Sequence, residues 1–272
     1  MLPTPTEWPQ TRGGAKYSVS LAFVAMLSLG SIVVGFGFVA IGKPGALKYA
    51  LLFALLFALI AAYSYVTRMR PRHHERDIML TEHEGSPATE LRYSGTSFAI
   101  LVALTICMTA IFGVASVDYF FAGETIPASE LAGALTGAAA LFCASFVALV
   151  VLGNINRGRV VLSQRGIYHR GRAFESFMPW EVFAGAKAAY NGTPEVLVIA
   201  YSNAPWQKRQ TSKVWKIDKL PPVPMIEIDC PNLAIEPSLV YHLVKFYVDN
   251  PSARGELGTD ASIQRARVGS YQ

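Results

Sequence analysis

The stretch Arg165-Gly166-Ile167-Tyr168-His169-Arg170-Gly171-Arg172-Ala173-Phe174 sets three arginines and a histidine among aromatics. That mixture could form a catalytic loop, a basic patch with stacking rings for nucleic acid, or the start of a folded docking module. His73-His74-Glu75 with His83-Glu84 has the residue types of a metal site. The same loop also holds Arg68, Arg70, Arg72, Arg76 and Arg92 and lacks a repeated ligand spacing, so it reads as a solvated, lipid-facing loop. Glu175 and Glu181 are isolated carboxylates. Neither a Gly-x-Ser-x-Gly elbow, a phosphate loop, a His-Glu-x-x-His nor a Cys-x-x-Cys occurs. We therefore expect no catalytic residue, no metal and no cofactor. Cys107, Cys143 and Cys230 form no disulfide pattern and read as packing residues. Asn191-Gly192-Thr193 has the form of a glycosylation sequon and reads better as a turn between strands.

The elements that must carry these residues are of two kinds. Of the 272 residues, 52% are hydrophobic and only 16% charged, against roughly 25% charged in soluble domains. Tyr17 to Gly42, Tyr49 to Thr67, Tyr93 to Val117 and Leu131 to Asn156 contain no Asp, Glu, Lys, Arg or His. Each approaches or exceeds the ~20 residues a helix needs to cross a bilayer. The chain thus divides into an N-terminal segment 1–16, a four-helix transmembrane domain 17–156 with spans at 17–42, 49–67, 96–117 and 131–154, and a loop 68–95 inside it. The first run is too long for a signal-peptide core and lacks a small-x-small cleavage pattern, so it reads as an anchor.

Arginines in the loop after the second span, and only acidic charges between Val117 and Leu131, place both termini in the cytoplasm by the positive-inside rule. Lys43 and Lys48 run against it. The expected location is the inner (plasma) membrane. Helices in lipid associate through small residues; Gly133-x-x-x-Gly137, Ala54 and Ala58, together with Ser31 and Gly35, are the expected packing positions. The spans carry no ionisable group, which speaks against ion transport. All five histidines lie outside them, so no membrane haem is expected.

Beyond Gly158 strand-length segments appear at Arg159–Ser163, Ile167–His169, Ala173–Met178, Val182–Ala188, Val196–Tyr201, Lys213–Ile217 and Met225–Asp229, with turn residues between several of them. Leu239, Leu243, Phe246 and Tyr247 then form one helical stripe. The expected fold is a membrane α-helical bundle followed by a small, mainly β cytoplasmic domain at 157–250, a barrel capped by a C-terminal helix, with a flexible tail at 251–272.

Val161-Leu162-Ser163-Gln164-Arg165-Gly166-Ile167-Tyr168-His169, followed by Phe177-Met178-Pro179-Trp180-Glu181-Val182, resembles the first strands of bacterial PH-like domains attached to membrane helices. The resemblance covers about residues 158–250 and implies a binding module on a helix-capped barrel, with no catalytic residues. The segment from Leu243 to Thr259 is similar to the tails of small actinobacterial membrane proteins, and by analogy points to an accessory subunit of a bcc-aa3 respiratory supercomplex.

Residues 157–272 hold fifteen Lys and Arg against ten Asp and Glu, so the chain's net charge of +5 resides there. Next to a bilayer such charge attracts anionic phospholipids. Nucleic acid is the weaker reading, because Ile167, Phe174 and Phe177 fit a sheet core. The expected docking residues for lipid or partner are Arg165, Arg170, Arg172, Arg68, Arg70 and Arg72. The leading function is a non-enzymatic accessory, assembly or scaffolding subunit whose partners are other integral membrane proteins. Sensing of anionic lipid by the β domain is the alternative, and small-molecule transport a third reading that would need an oligomer around a polar path.

Overall fold

A computed structural model describes residues 2–9, 15–70, 77–121, 129–218, 220–269 and 271. The chain forms two units, one of helices from residues 12–70 and 96–153 and one dominated by sheet from residues 1–11, 71–95 and 154–272.

The runs without charge form the helical unit: α1 (Ala15–Ala40), α2 (Leu47–Arg68), α3 (Gly95–Phe121) and α4 (Ser129–Val151). All four are long and apolar enough to cross a membrane. Small residues bring their backbones together. A Cβ on Gly35 of α1 would sit 2.5 Å from that of Ala50 in α2, and Ser28 donates to the Ala54 carbonyl at 2.8 Å. Between α3 and α4, Ser116 donates to the Gly133 carbonyl at 2.8 Å, Gly133 lies against the Phe120 ring, and Gly137 lies against the Ser116 hydroxyl. The packing expected of Gly133, Gly137 and Ala54 is thus present. Ala58 is exposed, so the role expected of it is not taken up. Lys48 and Tyr49 at the start of α2 donate to the two oxygens of Asp118 near the end of α3, at 2.5 and 2.7 Å. This pairing offsets the charge of Lys48 that ran against the positive-inside pattern.

The second unit contains an antiparallel six-stranded sheet in the order β1 (Ile78–His83), β2 (Ser86–Arg92), β3 (Arg159–Ser163), β4 (Gly166–Arg170), β5 (Phe174–Pro179), β8 (Gln207–Gln210), and a three-stranded sheet in the order β6 (Phe183–Tyr190), β7 (Pro194–Ala200), β9 (Met225–Asp229). The helices α5 (Pro237–Asp249) and α6 (Asp260–Val268) follow. Six of the seven expected strands are there, Asn191-Gly192 turns β6 into β7 with Gly192 at φ +74°, and the predicted stripe of α5 is buried. Leu91, Val160, Ile167, Met178, Val198, Ile226 and Trp180 fill the core with it.

Four expectations change. The sheets do not close into a barrel: two extra strands extend the β3 edge outward, and the described ladders leave two separate sheets. Those strands come from the loop 68–95, where Glu84 and Gly85, at φ +50° and +74°, make the two-residue turn that a hairpin's twist requires. Lys213–Ile217 is not a strand, because the Ser212 hydroxyl accepts the Trp215 amide at 3.0 Å and turns the chain. The polar Gln207–Gln210 pairs with β5 instead, as a lysine-bearing edge strand. The tail is ordered over residues 251–269. Leu257 and Ser262 are fully buried, Ser262 lies 2.7 Å from the Thr89 hydroxyl, and Glu256 takes two bonds from Arg265 at 2.7 and 2.8 Å. Gly258, at φ +81°, runs against the backbone of Pro87 and Ala88 where a side chain would not fit. The N-terminal segment also joins this unit, with Trp8 buried and its indole donating to the Ala189 carbonyl at 2.8 Å.

Candidate docking site

The three arginines of 165–172 separate on folding. Arg165 stands at the β3–β4 turn and bonds Glu84 at 3.1 Å, both side chains more than half exposed, which makes a weak pair. Arg170 and Arg172 are buried. This corrects the expectation that they face lipid or partner.

Both are tied to the segment that brings the chain from α4 to β3. Arg170 is ion-paired with Glu175, which also receives Arg209 at 2.8 Å. The Arg170 guanidinium reaches the Asn154 carbonyl at 3.5 Å, and Thr211 donates to that carbonyl at 2.6 Å. The Arg172 carbonyl accepts the Asn156 amide at 3.0 Å; its own amide donates to Asp218 at 2.6 Å and its guanidinium to Asn232 at 2.5 Å. Asn232 in turn donates to Asp229 and accepts the Ser94 amide at 2.7 Å. The two arginines therefore stitch together residues 94, 154–156, 211–218 and 229–232, a structural task that satisfies backbone groups outside any ladder. Burial, with Asp218 nearby, raises the Asp229 carboxyl, while Arg172 opposes that shift.

His169 lies beside them without reaching solvent. Its Nε2 is 2.8 Å from the Tyr93 hydroxyl, and burial lowers its pKa to about 4 and holds Tyr93 well above its usual value. It is a neutral core group. Of the rings expected inside, Phe174 is buried and Phe177 only partly so, beside His83.

In the helical unit, Arg68 stacks on Tyr17 with its guanidinium carbon 4.6 Å from the ring centre, and Arg70 is exposed, 3.4 Å from the Thr96 hydroxyl. Arg72 lies outside the described residues, as do His73, His74, Glu75 and Arg76. No group of three His, Cys, Asp or Glu with metal-binding geometry occurs among the described residues.

The basic surface that does face solvent is elsewhere. Between Trp206 and Lys216 lie Lys208, Arg209, Lys213 and Lys216 with no acidic residue. All four are exposed, and Val214 between the lysines is 63% exposed. Trp206 is fixed by a 2.6 Å bond to Ser176, and the Lys208 ammonium lies 4.2 Å over its ring. In the sequence this loop is masked by the strand composition of Lys213–Ile217. The uninterrupted run of positive charge was the available signal.

No protein-family model, curated protein or solved structure matches this chain.

Proposed function

We propose that this chain is a non-enzymatic, multi-pass membrane protein that serves as an accessory, assembly or scaffolding subunit of a larger membrane complex, docking through the basic loop 206–216. The carrying observation is that loop: three exposed lysines beside Arg209, which pairs with Glu175, no carboxylate within the loop itself and one exposed valine, a combination complementary to an acidic face with an apolar centre. The second unit supports the role as a platform. Its three chain segments, 1–11, 71–95 and 154–272, are those that four crossings would leave on one side of a bilayer, and the arginines after α2 favour the cytoplasmic side of the plasma membrane. The PH-like assignment rests on the strand motif and on α5, and membership of a bcc-aa3 supercomplex on the likeness of the tail.

Anionic phospholipid is the second reading for the same loop, since Val214 between Lys213 and Lys216 suits an interface where an apolar tip meets headgroups. The full-length protein, purified in mild detergent from native membranes, is expected to bring down stoichiometric partners by mass spectrometry. The combined variant Lys208→Glu, Lys213→Glu, Lys216→Glu is expected to lose them. A monomer without partners, or partners indifferent to the charge reversal, sinks the docking role; partners lost when anionic lipid alone is removed favour the second reading.

A further inference from the structure

From the geometry of the α1–α2 pair we infer a binding site for one anionic phospholipid, with the phosphate at Arg68 and the acyl chains laid along the two helices. This rests on the helices spanning a bilayer and is independent of the docking role. At one end of the pair is a cavity of about 250 Å³ lined by Tyr17, Ser20, Val24, Ala61, Ser64 and Arg68. Its polar groups, one cation and three hydroxyls, gather around a mouth whose inner wall is apolar. Stacking on Tyr17 engages only the flat face of the Arg68 guanidinium, and its N–H edge remains suited to the bidentate recognition of a phosphate.

The apolar wall continues. Positions 17, 20 and 24 of α1 recur as 27, 31 and 34, and positions 61, 64 and 68 of α2 are preceded by 50, 53 and 57, the three- and four-residue steps of one helix face. Those residues line a second space of about 540 Å³ between the same two helices. It holds no charged side chain. Gly30 and the close contact of Gly35 with Ala50 keep its floor low. Charge at one end and a long apolar trough behind it match a headgroup with its chains. A neighbouring helix would have no use for a cation confined to one mouth, and Arg68 stands at the end of α2, where headgroups lie.

The test uses the full-length chain in mild detergent, with phosphatidylglycerol or phosphatidylcholine added and retained lipid read by native mass spectrometry. Wild type is expected to retain phosphatidylglycerol about tenfold over phosphatidylcholine, a charge-assisted contact's worth of discrimination. Arg68→Gln is expected to abolish that preference, while Arg70→Gln, at the same helix end but outside the cavity, keeps it. Gly30→Leu, where an added Cβ meets nothing within 4 Å, is expected to extend into the trough and lower retention of both lipids with the fold intact. Excess inorganic phosphate is expected to leave the lipid in place. Equal retention of the two lipids by wild type, equal losses in the two arginine variants, Gly30→Leu retaining lipid like wild type, or displacement by phosphate would each overturn the site.

Discussion

The helical and sheet units treat polar groups in opposite ways. Among the described residues, α1–α4 bury no charged side chain; their buried polar residues are Ser97, Ser116 and Ser129. The sheet unit buries Glu90, His169, Arg170 and Arg172. In lipid an unpaired charge has no cheap escape and packing offers little hydrophobic gain, so small residues and hydroxyls hold helices together. In the sheet unit a core of Leu91, Ile167, Met178 and Trp180 supplies enough apolar burial for a few charges to be drawn in and hydrogen-bonded. There they tie down chain that has no ladder of its own.

The sharpest way to break that contrast is Arg172→Met. Removing one member of a buried polar network leaves Asn232 and its neighbours uncompensated, and a loss of about 3 to 5 kcal/mol is expected in denaturant unfolding followed by tryptophan fluorescence. A midpoint near wild type would mean the guanidinium does not hold the network. His169 tests the same unit through pH. Its folded pKa of about 4 lies below the ordinary 6.5, so between those values the unfolded chain binds the extra proton and stability rises with pH. The contribution is complete above about 6.5 and is lost as pH falls toward 4, about 3 kcal/mol in all. His169→Gln should flatten this part of the stability–pH curve; an unchanged slope would show that another group titrates. Ser116→Ala in the helical unit should cost least, about 0.6 kcal/mol, the average for a hydrogen bond between membrane helices. Helix association measured by steric trapping would read it, and a loss matching that of Arg172→Met would erase the contrast.

Legibility followed the same division. The helical unit could be read almost entirely from charge-free runs, because a bilayer imposes one rule on every residue of a span, and Gly133 and Gly137 fell where their spacing put them. In the sheet unit, segments of Val, Leu and Ile such as Arg159–Ser163 and Val196–Tyr201 were visible as strands. Ile78–His83, Gln207–Gln210 and Asp260–Val268 were not. Each has weak or mixed local preference and is ordered by non-local partners: the first pairs with β2, the second with β5, and the third packs around Ser262 on Thr89. The candidate docking residues fared worst, since an arginine beside aromatics has the same sequence whether it ends in water or in the core.

By itself the sequence determined four membrane-length helices, most of the strands and the amphipathic α5, because periodicity and charge avoidance are local properties that survive without knowledge of the partner. Only the tertiary structure decided that Arg170 and Arg172 are staples, that the loop after α2 and the tail belong to the sheet unit, and that Lys208, Arg209, Lys213 and Lys216 are exposed together on one loop. Burial is a property of what packs on a residue. For a polar side chain that is set by distant segments meeting with the right hydrogen-bond geometry.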